Sequence, residues 1–224
     1  MRADLRFWQS AAAKFNGEAI ILRAPRQSAG YLYTDASDVG MAGFFVLDFA
    51  ARSYLTFFVP WAIDPVVALY GLPPNVRHLV NTRLWPRRSR PTLWYIGCRE
   101  LWGYDWALLL WGGQHLSNVF TAPFQDNDLA AAAIRNLTSR HPGARLIAAE
   151  IAGHQILFNS RAEPQRIASL SNYVADGLSR RLSPTHIAGL IDRFFCGPPP
   201  QQPPFLPLQF SNPGLLTHRF PSQS

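Results

Sequence analysis

Asp35 ends a short apolar run in "AGYLYTDASDVGMAGFFVLD", and small residues and glycines follow it. Strand interiors disfavour aspartate, and an unpaired buried charge costs several kcal/mol, so this carboxylate needs water or a cation beside it. Three further acids hold comparable positions: Glu100 near the start of "RELWGYDWALLLWG", Asp126 directly after "FTAPFQ", and Asp176 within "NYVADGLSR". Each belongs to a different segment, and four carboxylates from four elements could converge on one point.

The elements that must carry them follow from pattern. Three stretches rich in β-branched and aromatic residues, "GYLYTD", "GMAGFFVLD" and "RSYLTFFVPW", read as an antiparallel meander. In "CRELWGYDWALLLWGGQ" the apolar residues recur at helical spacing and Gly112-Gly113 supplies a stop, which predicts a helix with Glu100 near its start. "NVFTAPFQDN" is a strand candidate that Pro123 interrupts, favouring an edge or bulge. "NDLAAAAIRNLTSRHPG" predicts a helix with an Asx cap, read as Asp128, and a Pro-Gly terminator. "ARLIAAEIAGHQILFN" is helical in its first half, "AEPQRIASLSN" supplies a last strand or extended arm, and "NYVADGLSRRL" a closing helix. Upstream, "DLRFWQSAAAKFNG" has helical spacing and an Asn-Gly stop.

This gives a connection segment over 1–27 with a short helix, a folded domain over 28–182, and a Pro-rich tail over 183–224 expected to be disordered. After about residue 196 that tail reads "CGPPPQQPPFLPLQF", a spacer composition that could also offer proline motifs to a small recognition module. Within the domain, 60–97 is an insertion or long loop, whose prolines exclude a continuous helix and whose run "WPRRSRP" is either a solvated face or a phosphate contact.

Composition bounds the function. The 224 residues are 48% hydrophobic, enough for a core, and 21 Lys plus Arg against 14 Asp plus Glu give a formal charge of +7. All the basic residues except Lys14 are arginines, which suit bidentate phosphate contacts, so a nucleic-acid partner ranks ahead of a membrane surface. Cys98 and Cys196 lack the spacing of a zinc site or a disulfide framework, and no apolar run reaches membrane-spanning length. An intracellular protein, in cytoplasm or nucleus, is expected. Of the other acids, Asp38, Asp48, Asp105, Asp128 and Asp192 read as turn, cap or surface residues. The histidines read as structural or solvated, and Trp85, Trp94, Trp102 and Trp111 as core fillers ahead of base-stacking platforms.

Taken in order, "TDASDVGMAG", "RELWGYDWALLLWG", "FQDNDLAAAAI" and "NYVADGLSR" resemble the four motifs of the ribonuclease H domain that follows reverse transcriptase in retroelements, DIRS-like retrotransposons in particular. The likeness spans roughly residues 3 to 182, and the upstream tryptophan-containing segment resembles the connection leading into that domain. It implies an α/β, ribonuclease H-like fold: a mixed five-stranded sheet with flanking helices. It also implies an endonuclease that cleaves the RNA strand of RNA–DNA hybrids, leaving a 5′ phosphate and a 3′ hydroxyl, with a reverse transcriptase polymerase domain as a partner.

The resemblance makes Asp35, Glu100, Asp126 and Asp176 the catalytic, metal-binding carboxylates. Such a cluster repels itself until two divalent ions neutralise it, and the all-oxygen donor set favours Mg²⁺, with Mn²⁺ as the other acceptable ion. Ser37 and Asn127, beside the motifs, are candidate nucleic-acid contacts. The family's histidine in the loop before the last Asp has no counterpart, because the nearest upstream one is His154. That departure, the long 60–97 segment and Pro123 together sustain an alternative, a catalytically inactive nucleic-acid-binding or structural domain from a decayed or domesticated element. No Tyr-x-Asp-Asp polymerase signature and no paired Asp-Thr/Ser-Gly protease turn is present.

Overall fold

A computed structural model describes residues 30–201 together with the backbone of a two-residue strand at 26–27. The expected helix upstream, and the chain beyond 201, lie outside the described residues. The expected meander is formed: β2 (Tyr31–Ala36) pairs antiparallel with β3 (Gly40–Asp48), which pairs antiparallel with β4 (Ser53–Pro60). On the far side of β2 come β6 (Phe124–Gln125) and β8 (Gln165–Arg166), both parallel, giving a mixed five-stranded sheet in the order β4-β3-β2-β6-β8. Helices flank it, as expected of an α/β chain.

A second ladder of three parallel strands runs β1 (Arg26–Gln27), β5 (Val119–Thr121) and β7 (Arg161–Ala162). Backbone bonds from Glu163 N to Thr121 O (2.9 Å), Gln165 N to Pro123 O (2.8 Å) and Ile167 N to Gln125 O (3.0 Å) carry one ribbon from this ladder into the larger sheet. The interruption falls at Pro123 and Pro164, which have no N–H to donate. Pro123 therefore does not sit on an edge strand; it splits an interior strand in two.

Both faces of the sheet are covered, which is why β3 reads as an almost unbroken apolar run. Along β2 and β3 successive side chains alternate. Leu32, Met41 and Phe45 enter one core, and Tyr33, Phe44 and Val46 enter the other. The first core is built with α3 (Ile96–Trp111), α4 (Asp128–Asn136) and α5 (Pro142–Leu157). α5 is helical through Leu157 and not only in its first half, and Pro142 opens it instead of terminating α4.

The 60–97 segment is no peripheral loop. After α1 (Pro65–Ala68) it runs through three short 3₁₀ turns to α2 (Pro91–Trp94), and it places Leu72, Val76, Leu84, Trp85 and Leu93 in that same core. Trp85, Trp102 and Trp111 are core residues, as expected, while Trp94 is half-buried.

The second face is covered by α6 (Tyr173–Ser179) and by α7 (Pro184–Cys196). The region expected to begin a disordered tail at 183 therefore opens with a thirteen-residue helix. Ser183 caps it, and Ile187, Leu190, Ile191 and Phe194 pack at helical spacing against the sheet. No helix among the described residues is long and apolar enough to cross a membrane.

Candidate metal centre

Asp35 is the fifth residue of the central strand β2, and its neighbour in the sheet, β6, ends one residue before Asp126. Parallel pairing of adjacent strands thus delivers both acids to the same end of the sheet. Glu100 lies in the second turn of α3, which packs across β2. Close approach at the start of that helix depends on Gly97, where a Cβ would lie 2.7 Å from Leu129 Cδ2 and 3.3 Å from Asn127 Oδ1. Gly97 therefore lets the Glu100 helix abut the loop that carries Asp126.

One carboxylate oxygen from each of Asp35, Glu100 and Asp126 lies within 4.8 Å of the other two. Asp35 and Glu100 are each only 4% exposed. Burial, followed by the charges of Asp126 and Asp176 and offset by a hydrogen bond from Ser179, raises the Asp35 carboxyl to about 6. Burial again, with Asp35 and Asp126 beside it, pushes Glu100 well above the usual carboxylate range, and Arg99 only partly opposes this. Glu100 Oε2 is buried without a hydrogen-bond partner among the described residues. A buried acceptor left unmade is expensive, and hard oxygen donors in this arrangement fit a divalent cation.

Asp176, expected as a fourth member, stands outside the 4.8 Å group. It lies close enough to raise both Asp35 and Glu100. Its own carboxylate, 38% exposed, accepts a hydrogen bond of 2.7 Å from Arg180 Nε one helical turn on. The structure thus gathers three of the four acids tightly and holds the fourth at the rim.

The two expected nucleic-acid contacts are occupied by the fold. Ser37 is buried; its hydroxyl donates to Ser179 O (2.7 Å) and accepts from Val39 N (3.0 Å), fastening the β2–β3 turn to the end of α6. Asn127, and not Asp128, caps α4: its Oδ1 accepts from Leu129 N (3.0 Å) and Ala130 N (3.1 Å). Asp128 is the first helical residue and pairs with Arg166 at 2.6 Å.

Three residues of the fourth motif are part of the site although only its aspartate is assigned from sequence. Asn172 Nδ2 donates to Thr34 O (3.2 Å) and reaches Asp126 Oδ1 (3.5 Å), Ser179 Oγ donates to Asp35 Oδ2 (2.5 Å), and Arg180 holds Asp176. Their offsets of −4, +3 and +4 from Asp176 are the spacings that share a helical face, which is the signal that could have found them. Asp105, expected at a turn, cap or surface, is instead buried inside α3 against His154.

Comparison with protein-family models, curated proteins and solved structures returned no match.

Proposed function

We propose that the chain is a divalent-metal-dependent endonuclease of the ribonuclease H type, which cleaves the RNA strand of RNA–DNA hybrids as the nuclease part of a retroelement reverse transcriptase. The observation that carries this reading is the buried Glu100 Oε2, without a hydrogen-bond partner among the described residues, within a group of three convergent carboxylates. The mixed sheet with helices on both faces and the four motifs in order support the same reading.

Asp35, Glu100 and Asp126 would hold the cation, with Asp176 beside them. Divalent ions there supply charge neutralisation and a polarised water at a phosphodiester. Around them Ser179 keeps Asp35 oriented and favours its ionised form, Asn172 steadies Asp126, and Arg180 holds Asp176 at the rim. Preference for a hybrid would come from duplex shape and 2′-hydroxyls, because A-form grooves hide base edges from side chains.

A second reading, binding without cleavage, is favoured by one observation: the Asp176 carboxylate is engaged by Arg180 and stands outside the tight group. One experiment separates the two. A labelled hybrid is incubated with the purified chain and Mg²⁺, and the products are mapped. The nuclease reading expects cuts in the RNA strand that end in 5′ phosphate and 3′ hydroxyl, abolished by EDTA and reduced at least about 10³-fold in Asp35→Asn and Glu100→Gln. A folded chain that binds the hybrid and cuts nothing establishes the second reading.

A further inference from the structure

Between Pro65 and Arg99 the chain carries six arginines and no aspartate or glutamate, so this connection alone holds a charge close to the +7 of the whole sequence. Arg83, Arg87, Arg88 and Arg90 are exposed, and none of the four has a carboxylate partner among the described residues. A basic run of this kind on a loose loop would be a solvated face. Here it is mounted on the core. Trp85, 1% exposed, packs edge-on against Trp61, Trp102 and Trp106, while Trp102 Nε1 donates to Leu84 O at 2.7 Å.

Two of the four side chains are also held in place. Arg90 donates to Arg83 O at 2.5 Å, and Arg88 lies over the Trp94 ring at 5.7 Å. Arg99 lies over the same ring at 4.6 Å and donates to Ser37 O at 2.5 Å, two residues beyond Asp35. Arg99 is buried and neutralised by Asp38 at 2.7 Å, so it anchors the end of the segment, and the cations unpaired among the described residues are Arg83, Arg87, Arg88 and Arg90. Fixing like charges side by side opposes folding, and a row of phosphates removes that repulsion. Guanidinium groups match phosphate oxygens bidentately.

We propose that the surface formed by Arg83, Arg87, Arg88 and Arg90 is a second binding site, which takes the phosphate backbone of a nucleic-acid duplex at a distance from the scissile bond. The site rests on the nuclease reading for the identity of that duplex, and on the charge and anchoring of the segment for its existence. Phosphate contacts of this kind position a duplex without reading its sequence.

The test is fluorescence anisotropy of the full chain with a fluorescein-labelled RNA–DNA hybrid in EDTA, across a salt series. Arg87→Gln/Arg88→Gln should weaken binding about tenfold at low salt and flatten the salt slope by about 0.9 for each phosphate no longer neutralised. Arg145→Gln/Arg161→Gln, exposed arginines outside the segment with the same change in charge, should alter affinity less than about twofold. Unchanged thermal melting certifies the fold of both variants. Equal loss in the two pairs, or an unaltered slope in the first, overturns the proposal. So does tighter binding of the wild type to phosphatidylserine vesicles than to the hybrid, which would assign the surface to a membrane. Because cleavage is not read, a chain that binds through these arginines and cuts nothing retains this site and loses the nuclease reading. A chain that cuts hybrid and binds it equally with the arginines neutralised does the reverse.

Discussion

Helix α3 buries two acids five residues apart, Glu100 and Asp105, and the fold treats them in opposite ways. Five positions rotate a helix by well over a full turn, so the two carboxylates leave it on different sides. Asp105 meets His154 Nδ1 at 2.6 Å, and next to this pair Gln155 Nε2 donates to the Tyr104 hydroxyl at 3.4 Å. Glu100 meets two more carboxylates and has no donor for Oε2 among the described residues. Burial of an acid therefore does not by itself mark a site. The distinguishing feature is the company each acid keeps among the described residues: Asp105 has a histidine against it, whereas Glu100 has other carboxylates beside it, only partly offset by Arg99.

Breaking the self-sufficient pair should cost most. Asp105→Ala removes the carboxylate that His154 Nδ1 meets inside the core and should lower unfolding stability by about 3–5 kcal/mol in urea titrations; a loss below about 1 kcal/mol would mean that the pair is not holding α3 to α5.

The other cluster should respond with the opposite sign. The Asp35 carboxyl is raised in the folded chain, so its contribution is fully present below the unfolded pKa near 4 and is lost as pH climbs through about 6. In EDTA at pH 8, Asp35→Asn should therefore be more stable than the wild type, by up to about 3 kcal/mol, and the gap should close below about pH 4. Mg²⁺ should sharpen the contrast. At a hundred times its dissociation constant it should stabilise the wild type by about 2.7 kcal/mol and Asp35→Asn far less, measured by thermal shift above pH 6.

A smaller effect separates the pairs by pH. Burial lowers the affinity of His154 for a proton, but Asp105 and Glu150 more than compensate, so its pKa is raised. The stability it contributes is complete below about 6.5 and fades as pH rises through the raised value. Asp105→Asn should abolish that alkaline decline in urea midpoints. The smallest change belongs to the exposed pair at the rim: Arg180→Gln should move stability by less than about 1 kcal/mol.

The convergent acids are legible in the sequence because their motifs sit at strand and helix ends, where local pattern fixes both the element and the position within it. Asp105 is not legible, since nothing local distinguishes a buried acid with a partner 49 positions away from a solvated one. The same limit hides the role of 60–97: short 3₁₀ turns broken by prolines have no period to read, yet Trp85 is central to the core. Helix α7 is hidden for another reason. Its apolar spacing is plain, but a Pro-rich stretch follows directly, and the composition of the whole end of the chain masks one amphipathic segment. Pro123 shows in the sequence as an interruption, but its interior place in the sheet does not, because a missing donor says nothing of how many strands lie beyond it.

The packing of α6 against α7 decides where this molecule can be shortened. At Gly177, next to Asp176, a Cβ would lie 2.7 Å from Leu190 and 3.2 Å from Ile187, so the later helix acts as a backstop for the one bearing the rim acid. Phe194 adds a lid over Phe44 and Tyr33, at 5.1 and 5.6 Å between ring centres. Ending the polypeptide at 182, where the motifs stop, would strip that lid and uncover an aromatic sheet face. A shortened chain must therefore keep α7 through Cys196.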